Sequence, residues 1–242
     1  MQAEPVLEAT GRARLIAPLR HTIVLLGILL ALTLYGFYAQ TRQQSQPGNQ
    51  NLAEHRAVLP LYLSLIVSEW ALFYFVWIGL RRGGTPLRDV IAGRWNTPQA
   101  VLLDVAIALL FWGAWCGLEI PLDKVLGPST ARSISALLPR SALEIFLWVV
   151  LSVSAGISEE LVFRGYLQKQ FHALTGMASV GVVLQALVFG VSHSYQGLKA
   201  MIIIAILGCL YGWLALWRKS LRPGMVAHAW TDIFSGIISN LR

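Results

Sequence analysis

The sequence predicts an all-α fold: a polytopic transmembrane helical bundle of about seven spans, with room for an eighth, and a cytoplasmic N-terminus. Three observations carry that prediction. Of 242 residues, 56% are hydrophobic and only 13% are Asp, Glu, Lys or Arg, about half the charged share of a soluble domain. A water-soluble fold of this size has too much surface to hide so much apolar side chain. The apolar residues also fall in blocks near the roughly 20 residues a helix needs to cross lipid, and the basic residues lie singly or in pairs between them, as membrane flanks do.

Seven blocks follow in order: Thr22 to Gln40, Ala57 to Leu80, Ala100 to Leu118, Ala142 to Phe171, Met177 to His193, Leu198 to Trp217 and Met225 to Ile238. The first follows Arg12, Arg14 and Arg20 and resembles a signal peptide, but no small-x-small cleavage site follows, so it is expected to be retained as a span. The connections have linker composition: Gln43 to Asn51 is rich in Gln and Asn, Arg81 to Pro86 is basic with two glycines, and Leu126 to Ser135 is polar. Two regions are expected, 1–141 with peripheral spans and a cytoplasmic start, and 142–242 as the functional helical core.

Orientation follows from Lys and Arg in short loops. With the N-terminus inside, Arg12, Arg14, Arg20, Arg81, Arg82, Arg88, Arg94, Arg164, Lys169, Arg218, Lys219 and Arg222 are cytoplasmic. Arg42, Arg56, Lys124, Arg132, Arg140, Lys199 and Arg242 lie outside. The bias favours N-in. The net charge of +7 is not gathered on one face, so nucleic acid is not an expected partner. Cys116 and Cys209 sit inside apolar blocks and are expected to be buried hydrophobes rather than a disulfide or a metal site. Small residues from Ser152 to Gly156, and the GxxxG pair Gly208 and Gly212, mark close helix approach.

The polar residues inside these blocks carry the functional signal. The fourth reads Ser-Glu-Glu-Leu-Val-Phe-Arg-Gly from Ser158 to Gly165, and a charge near the bilayer centre costs about 2.5–3.5 kcal/mol on insertion scales. Glu160 and Arg164 are four apart and are expected to form a structural ion pair. Glu159, turned about 100° away, has no such local partner and is free for chemistry. The fifth block ends Phe189-Gly-Val-Ser-His193, and the seventh contains His228-Ala-Trp-Thr-Asp232. With a turn near Gly176, Glu159 and His193 lie equally far from it and therefore at the same depth in an antiparallel hairpin. Upright helices would leave His228 roughly 20 Å from His193 in depth, and strong tilt, a membrane-buried turn at Ser194 to Gly197 or a short sixth helix would be needed to bring them together. His21, His55 and His172 lie at block ends or in linkers and are expected at the interface. Asp104 is expected to make a buried polar contact.

Together, Glu159-Glu160-x-x-x-Arg164, Phe189-x-x-x-His193 and His228-x-x-x-Asp232 resemble the CPBP family, which includes the type II CAAX prenyl endopeptidases and the bacterial Abi proteins linked to bacteriocin processing and immunity. The resemblance covers about Ala142 to Ile238. It implies an intramembrane endopeptidase acting on a membrane-associated or lipidated peptide. Glu159 would be the catalytic carboxylate and His193 its partner in activating water. His228 and Asp232 would stabilise the oxyanion, with Glu160, Arg164 and Phe189 in support. Asp232 departs from the Asn of the best-known members: an amide donates a hydrogen bond, and an ionised carboxylate cannot. Asp232 is then either protonated, or pairs with and orients His228, or stays clear of substrate.

The same trio Glu159, His193 and His228 also offers ligands for a divalent metal such as zinc, with water in an open position. The HExxH of zincins is absent, and metal-dependent and glutamate-type chemistry stay open. Two other classes remain: a catalytically silent immunity or binding partner, and a proton-coupled transporter, which the crowding of polar residues into one half disfavours. Expected partners are membrane lipid and a membrane-anchored peptide or protein, in a cell membrane if the source is prokaryotic.

Overall fold

The computed structural model describes residues 14–44, 58–127 and 138–238. The linkers Gln43 to Asn51 and Leu126 to Ser135 lie mostly outside these residues, as do Arg12, His55, Arg56, Arg132 and Arg242. The helices are α1 (Leu19–Gln44), α2 (Val58–Arg82), the short α3 (Leu87–Ile91), α4 (Pro98–Val125) and α5 (Ala142–Glu159). A π-helical segment (Glu160–Leu167) runs on into α6 (Gln168–Thr175). Then come α7 (Ala178–Ser192), a 3-10 turn (Ser194–Gln196), α8 (Leu198–Arg218) and α9 (Arg222–Ile238). Among the described residues there is no strand, only an isolated bridge between Ala92 and Ser220. The fold is an all-α membrane bundle.

Each of the seven apolar blocks becomes a helix, but five are long and apolar enough to cross a membrane. α5, the π segment and α6 form one continuous 34-residue span. α7 and α9 have 15 and 17 residues, about 22 and 26 Å at 1.5 Å per residue, short of the roughly 30 Å hydrocarbon layer. The outer faces of α1, α2 and α4 expose large apolar side chains, Leu34, Tyr35, Val67 and Leu110 among them, which suits a lipid surround.

Local chemistry sets the helix ends. Ser141 and Glu144 form a reciprocal capping box that starts α5, and Thr97 accepts from the Ala100 N–H with Pro98 in the first turn of α4. Gly176 closes α6 in the left-handed conformation at φ 74°, where the hairpin turn was expected. Lys219 ends α8 in the same region at φ 51°. The Leu221 N–H then donates to the Ile91 carbonyl at 2.9 Å, so α9 starts at once beside α8.

Small residues let the core helices meet at backbone distance. A Cβ on Gly156 would lie 2.8 Å from both the Met225 carbonyl oxygen and the Ala229 nitrogen, so α5 and α9 touch one turn from Glu159 and Glu160. Gly208 packs on Ala186 and Phe189, and Gly212 on Gln168, Gln185 and Val182. Asp104 makes the expected buried contacts, with Arg218 Nη2 at 2.8 Å and Trp95 Nε1 at 2.9 Å. His21 is buried against its neighbours, stacks on Phe75 at 4.1 Å and bonds the Tyr166 hydroxyl of the π segment at 2.9 Å, partners that a block-end position did not suggest.

Candidate active site

The buried pair comes first. Arg164 Nη1 lies 2.9 Å from Glu160 Oε1, with both side chains at 0% exposure, as their spacing implied. The helix carrying them is π rather than α. Such wide turns are uncommon and frequent at functional sites. The guanidinium sits 4.3 Å from the Phe189 ring centroid and 5.0 Å from that of Tyr211, a cation between two aromatic faces.

The same Glu160 oxygen accepts from His228. His228 Nδ1 is 3.1 Å from it, and since the carboxylate also faces Arg164, Nδ1 carries the proton. The ring stacks on Tyr211 at 5.3 Å and 17°. Its Nε2 faces Glu159 Oε2 at 3.5 Å and Asp232 Oδ2 at 3.7 Å. Tyr211 bonds Thr231 at 3.4 Å and gives both Arg164 and His228 a wall. Sequence reasoning missed it, because an aromatic in an apolar helix carries no distinguishing pattern.

His193 caps α7, where Nδ1 donates to the Phe189 carbonyl at 2.9 Å. A carbonyl only accepts, so Nδ1 holds the proton and Nε2 keeps its lone pair. The ring folds back on Phe189 at 4.8 Å, and Phe189 lies 6.0 Å from the His228 ring. Both histidine rings therefore flank the Phe189 ring, closer than upright helices would bring them, and the chain turns at Ser194–Gln196 between them.

Glu159, His193, His228 and Asp232 line one cavity of about 690 Å³. Its walls come from α2, α4, α5, α7, the 3-10 turn, α8 and α9, with Phe189 at the base of the histidines. Glu159 Oε2 is buried and accepts no hydrogen bond. A second residue that sequence reasoning missed lines the cavity with it: Glu69, at the middle of α2. Its signal was available, since a carboxylate in the middle of an apolar span is as costly as the pair at Glu159 and Glu160. Among the described residues, no group of three or more His, Cys, Asp or Glu side chains is gathered closely enough to hold a metal ion.

The close seating of α9 on Glu160 gives a direct prediction. A Cβ on Gly224 would stand 2.8 Å from Glu160 Oε2. Gly224→Ala is expected to push the carboxylate off His228 and lower stability by about 1–3 kcal/mol, the range for an overpacked core, measured by denaturation in detergent.

No curated protein and no solved structure gives a match. Residues 141–234 match the family model described as type II CAAX prenyl endopeptidase Rce1-like, a segment that holds every motif position quoted above.

Proposed function

We propose that the protein is a multi-pass intramembrane endopeptidase that hydrolyses a peptide bond of a membrane-associated or lipidated peptide, in the manner of the CAAX-type peptidases. The observation that carries this reading is the convergence of Glu159, His193, His228 and Asp232, drawn from three helices, on one cavity deep in an apolar bundle. Charged groups inside a membrane are costly unless they line a water-filled space.

The chemistry follows from the proton positions. Water held between Glu159 and the His193 Nε2 lone pair loses a proton as it attacks the carbonyl carbon. The carbonyl oxygen takes up negative charge and is met by the Nε2–H of His228 in its doubly protonated form, which the surrounding Glu159, Glu160 and Asp232 carboxylates favour, while its Nδ1–H is held by Glu160. A donor fixed before the reaction needs no reorganisation when the charge develops. Glu159 then returns the proton to the departing amine. Asp232 faces the same Nε2, which favours an orienting role over direct donation to the oxyanion. Asp232→Asn retains an acceptor there and is expected to hold kcat within about threefold, whereas Asp232→Leu is expected to lower it about tenfold, the worth of one hydrogen bond of about 1.4 kcal/mol.

The test is a comparative mass-spectrometric survey of membrane and released peptides from cells expressing wild type, Glu159→Ala or His193→Ala at matched levels. Peptides made only by wild type establish proteolysis and give the cleavage motif. Identical peptide sets from all three folded proteins overturn the reading in favour of a silent binding or immunity partner.

A further inference from the structure

The charge of the cavity points to its substrate. Four carboxylates line it, Glu69, Glu119, Glu159 and Asp232, and among the described residues no lysine or arginine does. Of the described basic residues, Arg164 is committed to Glu160 and Lys199 to Asp123. Glu69 is the distinctive member. It comes from α2, outside the segment matched by the family model. Its backbone carbonyl accepts from Ser158 Oγ at 2.7 Å, which sets it beside Glu159, the next residue. The side chain is partly buried and shares the cavity lining with Glu159, His228 and Asp232, and its Oε2 is buried and takes no hydrogen bond.

A carboxylate oxygen withdrawn from water with no donor is costly, and its three charged neighbours include two more carboxylates. A donor brought by the substrate would satisfy it. We propose that Glu69 is a specificity-determining residue that receives the lysine or arginine side chain of a peptide substrate, so that the enzyme prefers an apolar segment with a basic residue close to the scissile bond. The apolar walls at Leu61, Leu65 and Leu207 accept the rest of the segment, and Glu119 extends the acidic lining. This assignment deepens the peptidase reading and rests on it for the word substrate. The recognition of a cation can be measured without cleavage.

Full-length protein carrying Glu159→Gln, placed in phosphatidylcholine nanodiscs so that the lipid bears no net charge, is titrated with fluorescein-labelled apolar peptides that differ only in one central Lys, norleucine or Glu. The Lys peptide is expected to bind about tenfold more tightly than the norleucine peptide, the worth of one charge-assisted hydrogen bond. Adding Glu69→Gln removes that advantage, and adding Glu69→Lys transfers it to the Glu peptide. Equal binding of the three peptides, or a Lys advantage that survives both Glu69 substitutions, overturns the assignment. Wild type is then given a synthetic library of the same design and its cuts are mapped. Cuts clustered within three residues of Lys or Arg support the assignment, and cuts indifferent to charge overturn it while leaving the peptidase reading intact. No cuts, with the binding preference present, sinks the peptidase reading and leaves Glu69 as a cation site.

Discussion

Glu159→Gln is expected to lower kcat about 10³-fold on any peptide the wild type cleaves, with KM nearly unchanged. The substitution keeps shape and removes the base, so it acts on the transition state and hardly on binding. General-base catalysis is commonly worth 10²–10⁴-fold. His193→Ala is expected to lose a comparable factor, because its Nε2 lone pair is free only through the Nδ1–H bond to Phe189. The double variant distinguishes shared from separate roles. If both groups act on one water, Glu159→Gln with His193→Ala costs little more than either alone. Losses that multiply would show that the two side chains act in different steps and would overturn the shared-water mechanism. The measurement is single-turnover cleavage of a peptide identified by the wild-type survey, with unfolding curves showing that the variants remain folded.

The legible and illegible parts of this site divide on physical grounds. The helix blocks were legible because lipid demands long apolar runs. Glu160 and Arg164 were legible as a pair because a neighbour four residues on lies on the same face. The meeting of Glu159, His193 and His228 followed less directly. Depth could be counted along the Gly176 hairpin, but no count along a helix shows that Gly156 seats α5 on the backbone of α9 or that His193 folds back onto Phe189. The π segment was not legible, since Glu160–Leu167 has no proline and a lone glycine, Gly165, does not announce a π turn. Glu69 was the opposite case. Its carboxylate stood out in the sequence, but the first three helices had been valued only for being apolar. α7 and α9, with 15 and 17 residues, are shorter than the other apolar helices, and no hydropathy count shows that His193 and His228 line a cavity inside the bundle.

The second large effect is on stability. Arg164→Met is expected to lower the stability of the detergent-solubilised protein by about 3–5 kcal/mol, the cost of removing one member of a buried ion pair and leaving the other charge unmatched. Both side chains are fully enclosed, so Glu160 would face the interior with the His228 Nδ1–H as its sole remaining partner. The guanidinium also fills the space between Phe189 and Tyr211, and methionine restores volume there without charge or planarity. Glu160→Gln with Arg164→Met removes both charges and keeps an acceptor for His228, so it is expected to regain most of the loss in stability. Activity is expected to separate from stability in that double variant. The Glu160 carboxylate accepts the His228 Nδ1–H and supports the doubly protonated ring that donates from Nε2, and an uncharged amide supports that form less well. A double variant that unfolds like wild type but cleaves about tenfold more slowly would show that the ion pair directs the histidine as well as holding the helices. One that recovers both stability and rate would confine the pair to packing.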